Sequence, residues 1–150
     1  MKKIVIIGLI LFTAQFAQAQ DKIEWLKFEE AVAAAEANPK MLLVDVYTDW
    51  CGWCKKMDKE TFTDPDVIKY INEKFYAVKM NAEDDKRKFD FKGKDYTEAK
   101  MAAAMRVQSY PNFVIIDPTL KNITQLPGYR QPVEFLERLS EIVDNGIGTE

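Results

Sequence analysis

Cys51 and Cys54 are the only cysteines in the chain. They stand in a Cys-x-x-Cys spacing within Asp45-Val46-Tyr47-Thr48-Asp49-Trp50-Cys51-Gly52-Trp53-Cys54-Lys55-Lys56, just after the apolar run Met41-Leu42-Leu43-Val44. That order predicts a buried strand, a tight turn and a helix that begins at the first thiol. A thiol at a helix N-terminus lies in the positive end of the macrodipole, which favours the thiolate. Thiol–disulfide exchange needs one thiolate to attack and a second thiol to release the mixed disulfide. The pair therefore reads as a redox dithiol, with Lys55 and Lys56 adding positive charge nearby. A static structural disulfide and a shared metal site are the alternatives. As a staple the pair is poor, because so short a loop constrains little unfolded-chain entropy.

Composition narrows the chemistry further. The chain has 150 residues and no histidine. One domain is expected at this length. Cys-His and Ser-His nucleophile pairs, the usual zinc sites and haem ligation through histidine are excluded. Two cysteines cannot complete a four-cysteine zinc site in one chain. The formal charge of −3 leaves no basic surplus for nucleic acid. No cofactor, no metal and a monomer are expected. Met57, Met80, Met101 and Met105 could add soft ligands for copper, but core filling is the plainer reading.

Asp45 is a carboxylate inside an otherwise apolar strand. Burial should raise its pKa and make it a proton acceptor for Cys54. The alternative is a structural carboxylate satisfied by Lys79 or by backbone amides. Trp50, Trp53, Tyr47, Tyr110 and Tyr129 are expected to form an apolar collar, a surface suited to extended polypeptide. For Tyr47 and Tyr129, core packing is the plainer expectation.

Elements to hold these residues follow from patterning. Residues 1–19 read as a cleaved export signal, with Lys2 and Lys3, the apolar run Ile4 to Phe12 and a small-x-small end at Ala17-Gln18-Ala19. The run falls short of the roughly 20 residues a membrane span needs. The domain is then residues 20–150. Lys22 to Leu26 predicts a short edge strand. Phe28 to Asn38 predicts a helix stopped by Asn38-Pro39. Met41 to Tyr47 predicts a central strand covered on both faces. The dithiol helix runs to about Phe62, and Asp64-Pro65 starts another whose stripe is Val67, Ile68, Ile71 and Phe75. Phe75 to Met80 is a third strand. Asp84 to Lys94 is charged and is expected to be a solvent-facing loop. Asp95-x-x-Glu98 predicts a capping box ahead of a helix to about Arg106. Asn112 to Asp117 is a fourth strand, Ile123 to Leu126 pairs back as a hairpin, and Pro132 opens the last helix. The class is α/β, with a central mixed sheet of four to five strands flanked by helices.

Over about residues 25 to 145 the chain resembles the thioredoxin family. The resemblance rests on Val44-Asp45, Trp50-Cys51-Gly52-Trp53-Cys54-Lys55, Val78-Lys79-Met80-Asn81, Tyr110-Pro111 and Pro127-Gly128, in family order. It is most similar to exported thioredoxin-like proteins of Gram-negative bacteria. Thr61-Phe62-Thr63-Asp64-Pro65 also resembles the C-terminal domain of the transmembrane thiol-disulfide interchange reductase. The resemblance implies that Cys51 is the exposed attacking thiol and Cys54 the buried resolving thiol. It implies that Asp45 is the buried carboxylate below Cys54, with Lys79 its partner. Pro111 is implied to be a cis-proline facing the dithiol, and Trp50, Trp53, Tyr110, Pro111 and Gly128 to contact substrate. Thioredoxin itself has proline where this chain has Trp53, and the stretch from Asp84 to Asp95 is longer than the minimal fold. The implied function is a periplasmic thiol–disulfide oxidoreductase, reducing disulfide-containing client proteins and resupplied by a membrane electron-relay protein. A polypeptide-binding module on the same scaffold, a disulfide oxidant or isomerase, and a copper-handling dithiol are the competing readings.

Overall fold

In the computed structural model, which describes residues 21–147, strands and helices alternate. The order is β1 (Trp25–Leu26), α1 (Phe28–Ala37), β2 (Met41–Tyr47), α2 (Gly52–Glu60), α3 (Pro65–Lys74), β3 (Phe75–Asn81), β4 (Lys88–Phe91), β5 (Lys94–Thr97), α4 (Glu98–Ala104), β6 (Asn112–Ile116), β7 (Ile123–Pro127) and α5 (Pro132–Asn145). The export-signal reading of residues 1–19 lies outside the described residues.

Five strands form one mixed sheet in the order β1-β3-β2-β6-β7. β1 and β2 run parallel to β3, while β6 runs antiparallel to both β2 and β7. β2 is central, which is why its sequence is almost continuously apolar: both faces are covered. Leu43, Phe113 and Ile115 meet Met57, Ile71, Phe135 and Leu139 on the face carrying α2, α3 and α5. Leu42, Val44, Val46 and Val114 meet Phe28, Met80 and Met101 on the other. In this register Asp45 pairs with Lys79, Val46 with Asn112, and Asn112 with Pro127. The ends of β2, β3 and β7 and the start of β6 therefore share one edge of the sheet, where the dithiol turn sits. α3 begins as its sequence predicts: the Asp64 carboxylate accepts from the N–H groups of Asp66 and Val67, with Pro65 at the first helical position.

Two expectations are corrected. The stretch from Asp84 to Lys94 is not a loop. It contains β4 and the turn into β5, an antiparallel hairpin separate from the main sheet. Phe89 and Phe91 alternate with Lys88, Asp90 and Lys92, a two-residue period that the density of charge obscured. The turn Lys92-Gly93 has positive φ at both residues (54° and 75°), the geometry that matches a tight hairpin and that glycine makes accessible. Phe89 and Phe91 pack on Phe28 of α1 at ring distances of 5.6 and 5.4 Å. Truncating the buried Phe89 to alanine is expected to destabilise the protein by about 3–4 kcal/mol, read as a lower urea midpoint. A midpoint shift under about 0.5 kcal/mol equivalent would show that the hairpin does not contribute to the core.

The second correction concerns α4. Its N-cap is Thr97, whose hydroxyl accepts from the N–H of Lys100, and not Asp95, which lies on β5. Glu98 turns its carboxylate away from any capping box to Arg87 and to the backbone N–H of Asn81. The helix also ends at Ala104, short of Arg106, whose φ is 59°.

Candidate active site

Cys51 is the N-cap of α2, and Cys51 and Cys54 are joined in a disulfide with Cα atoms 5.3 Å apart. The N–H of Cys54 donates to Cys51 Sγ at 3.1 Å, and the N–H of Cys51 donates to the Thr48 carbonyl at 3.2 Å. An amide aimed at sulfur from the first turn of a helix stabilises negative charge there. The contrast implied by the resemblance, an exposed first thiol over a buried second, is absent: each cysteine is 4% exposed. With the ring closed, Cys51 Sγ is drawn over the helix start. The exposed groups beside it are the indoles, Trp50 at 66% and Trp53 at 58%.

Behind α2 lies a charge cluster. Asp45 is 2% exposed, and its Oδ2 is 3.4 Å from Lys79 Nζ. Lys79 also pairs with Asp58 of α2, four residues after Cys54 and so on the same helix face. The Lys79 ammonium lies over the rings of Trp25, Tyr47 and Phe62 at 5.1, 5.4 and 5.7 Å, which hold it in place. Burial pushes the Asp45 carboxyl up to about 7; Lys79 opposes that rise and Asp58 adds to it. Asp45 Oδ1 has no hydrogen-bond partner among the described residues. Neutralising Asp58 as Asp58→Asn is expected to lower the Asp45 midpoint, and Lys79→Met to raise it. Carboxyl carbon NMR of labelled aspartate reads both; shifts of the same sign in the two variants would break this account.

Two aromatic lips flank the disulfide. On one side Trp50 meets Tyr110 edge-on at 5.9 Å, and its indole N–H donates to Glu83 Oε1 at 2.9 Å. On the other, Trp53 leans on Tyr129 at 5.3 Å, and Lys56 Nζ lies over both rings at 5.5 and 4.9 Å. The Tyr129 hydroxyl donates to Glu60 Oε2 at 2.6 Å. Tyr129 thus shapes the lip as well as lying against the core, and Tyr47 is half-buried beneath Lys79. The Tyr110–Pro111 peptide is cis. The Pro111 carbonyl accepts from the N–H of Gly128 at 2.8 Å, and Gly128 adopts φ 92°, a conformation costly for side-chain-bearing residues. Pro111 and Gly128 therefore sit together at the sheet edge that carries the dithiol.

The four methionines do not gather at the sulfurs. Met57 is buried on the α2 face of the sheet and Met80, Met101 and Met105 on the other. Among the described residues no group of three or more His, Cys, Asp or Glu side chains could hold a metal ion. Nor is any described helix long and apolar enough to cross a membrane. The residues that sequence reasoning missed are Asp58, Glu83 and Glu98. Asp58 carried one legible signal, its four-residue spacing from Cys54; Glu83 carried none, and Glu98 was expected only in a capping box with Asp95.

A family profile described as a thioredoxin-like domain matches residues 28–142. The chain belongs to the thioredoxin-like family. Among curated relatives, the thiol:disulfide interchange protein DsbD of Colwellia psychrerythraea is 25% identical over 131 residues, covering 86% of this chain and 20% of that protein. DsbD of Pseudoalteromonas atlantica is 49% identical over 41 residues, covering 27% of this chain and 7% of that protein. The chain thus spans about a fifth or less of the length of these two relatives. Among solved structures, a candidate disulphide-isomerase from Bacteroides thetaiotaomicron is 31% identical with a TM-score of 0.64, over 87% of this chain and 99% of that one. An oxidoreductase named DsbH superposes with a TM-score of 0.68 at 16% identity, over 89% of this chain and 92% of that one, a likeness of fold. This thioredoxin-like chain carries the Cys-x-x-Cys pair of an oxidoreductase fold at a helix N-terminus.

Proposed function

We propose that the protein is a periplasmic thiol–disulfide oxidoreductase that reduces disulfides in client proteins. The observation that carries this reading is the Cys51–Cys54 disulfide at the tip of α2, with two aromatic lips beside it and the buried Asp45 joined through Lys79 to Asp58 of the same helix. In the reduced protein, the Cys51 thiolate attacks one sulfur of a client disulfide. The client S–S bond breaks, one client sulfur leaves as a thiolate, and a Cys51–client disulfide forms. Asp45, ionised above about pH 7, takes the proton of Cys54. The Cys54 thiolate then attacks Cys51 Sγ, the protein disulfide closes, and the second client sulfur leaves. The client gains two electrons and this chain loses two. A membrane relay protein is the proposed source of electrons for the next round; the name of the DsbD relatives supports thiol–disulfide interchange. Export rests on the signal pattern of residues 1–19.

Insulin reduction with a dithiol donor tests the reading: wild type is expected to accelerate it and Cys51→Ser to leave only the background rate. Equal rates in the two would end it. The equilibrium potential of the pair gives the direction. A value near roughly −270 mV supports reduction, and one near roughly −120 mV supports oxidation.

One observation favours a second reading, a module that holds polypeptide while the dithiol is incidental: both cysteines are buried and the indoles beside them are exposed. Client binding by Cys51→Ser with no turnover in wild type would select it.

A further inference from the structure

Trp50 is the most exposed part of one lip, yet it has a hydrogen-bond partner. Its indole N–H is bonded to Glu83, and Glu83 belongs to a turn after β3 that is fastened from several sides. Within the turn, Asn81 Oδ1 accepts from the N–H of Glu83 at 2.9 Å, and the Asn81 carbonyl from the N–H of Asp84 at 3.1 Å. The Tyr47 carbonyl accepts from the N–H of Ala82 at 2.8 Å. Two ties come from α4: the N–H of Ala99 donates to the Asp84 carbonyl at 3.0 Å, and Glu98 adds the side-chain fastening. Its Oε2 accepts from the N–H of Asn81 at 2.7 Å, while its Oε1 pairs with Arg87 Nη2 at 2.9 Å. Arg87 stands just before β4, and its Nη1 pairs with Glu29 Oε1 of α1 at 2.7 Å. Glu98 is 14% exposed in its side chain, so these charge-assisted bonds are largely shielded from water.

We propose that Glu98 is a positioning residue for the client-facing lip. Through Asn81 and Glu83 it fixes the rotamer of Trp50, and through Arg87 it ties that lip to the β4–β5 hairpin. The proposal rests on the oxidoreductase reading above. An exposed indole held in one rotamer meets a client with less ordering to do on binding, so the effect appears in client affinity rather than in the exchange of sulfurs. A purely local role for Glu98, as an acidic residue in the first turn of α4, depends on its charge alone. The positioning role depends on an acceptor at Asn81.

The test uses nitrogen-labelled full-length protein. Trp25, Trp50 and Trp53 are its only tryptophans and give three indole signals, with Trp50 assigned by its loss in Trp50→Phe. Glu98→Ala is expected to move or broaden the Trp50 indole signal and speed its exchange with water, as Glu83→Ala does, leaving Trp25 in place. Glu98→Gln keeps a carbonyl acceptor for Asn81 and is expected to restore the signal. In insulin reduction Glu98→Ala is expected to raise KM about two- to tenfold, the scale of one oriented aromatic contact, with kcat within about twofold. A Trp50 signal unmoved by Glu98→Ala, or a Gln variant as perturbed as the Ala variant, overturns the proposal. So does a moved signal with KM unchanged. Should Glu98→Ala fail to fold, Asn81→Ala removes the next link and is read in the same way. A wild type without insulin turnover overturns the parent reading, and the indole signals still decide the positioning claim.

Discussion

Cys54→Ser is expected to stop the reaction half-way and leave the protein covalently attached to its client. Cys51 can still attack, since its helix N-terminus and the N–H of residue 54 are backbone features that the substitution keeps. What is lost is the sulfur that releases the mixed disulfide, and a serine hydroxyl does not replace it as a nucleophile at neutral pH. Turnover is expected to fall at least about a thousandfold, a barrier increase of about 4 kcal/mol. A client adduct should accumulate on non-reducing gels and disappear with added dithiol. Cys51→Ser should lose turnover equally and form no adduct, because Cys51, at the N-cap, is the sulfur toward which the Cys54 N–H is aimed. If Cys54→Ser turned over at the wild-type rate, or if both variants formed the same adduct, the division of labour between the two sulfurs would be wrong.

Asp45→Asn is expected to make the oxidised protein more stable at pH 8 and about as stable as wild type at pH 4. The sign follows from proton counts. Burial raises the folded-state carboxyl to about 7 from its ordinary 3.8. Between those values the folded protein holds a proton that the unfolded chain has released, so the free energy of unfolding falls as pH rises. The loss is complete above about pH 7, and over that span it is on the order of 4 kcal/mol. Asparagine keeps the shape and removes the titration, leaving Lys79 with Asp58. Urea midpoints at the two pH values read the difference; a variant less stable than wild type at pH 8 would overturn it. The same substitution should slow resolution of the mixed disulfide and flatten the rise of rate through about pH 7. On the proposed mechanism Asp45 opposes stability at the pH where it takes the Cys54 proton, a conflict found where function rather than folding selects a residue.

Much of this was readable in one dimension. The two cysteines are three apart after a strand-like apolar run, and three residues span the first turn of a helix, so their union depends on local geometry. Met41 to Tyr47 could be placed at the sheet centre because only a strand covered on both faces is apolar at nearly every position. Asp45 stood out as the one charge in that run. Asp64-Pro65 marked a helix start because capping is a local event.

What local chemistry leaves open is which distant groups share a place. The register that sets Asp45 beside Lys79 joins residues of two strands with two helices between them. Asp58 and Glu83 carried no assignment, and Glu98 was expected in a capping box, because the groups they bond, Lys79, Trp50 and Arg87 with the Asn81 amide, are brought to them only by the folded chain. The β4–β5 hairpin was hidden for a related reason. Its alternation is short and masked by lysines and aspartates, and its apolar face acquires meaning only when Phe28 of α1 lies beneath it. The burial of Cys51 was likewise invisible, since spacing says that two sulfurs can meet and not how deeply the surrounding elements set them. Residue types and short spacings were enough to name the chemistry, because bond formation between neighbours is local. The surroundings of Asp45, the aromatic lips and their fastening were decided by long-range packing, which places side chains from separate elements within a few ångströms of one another.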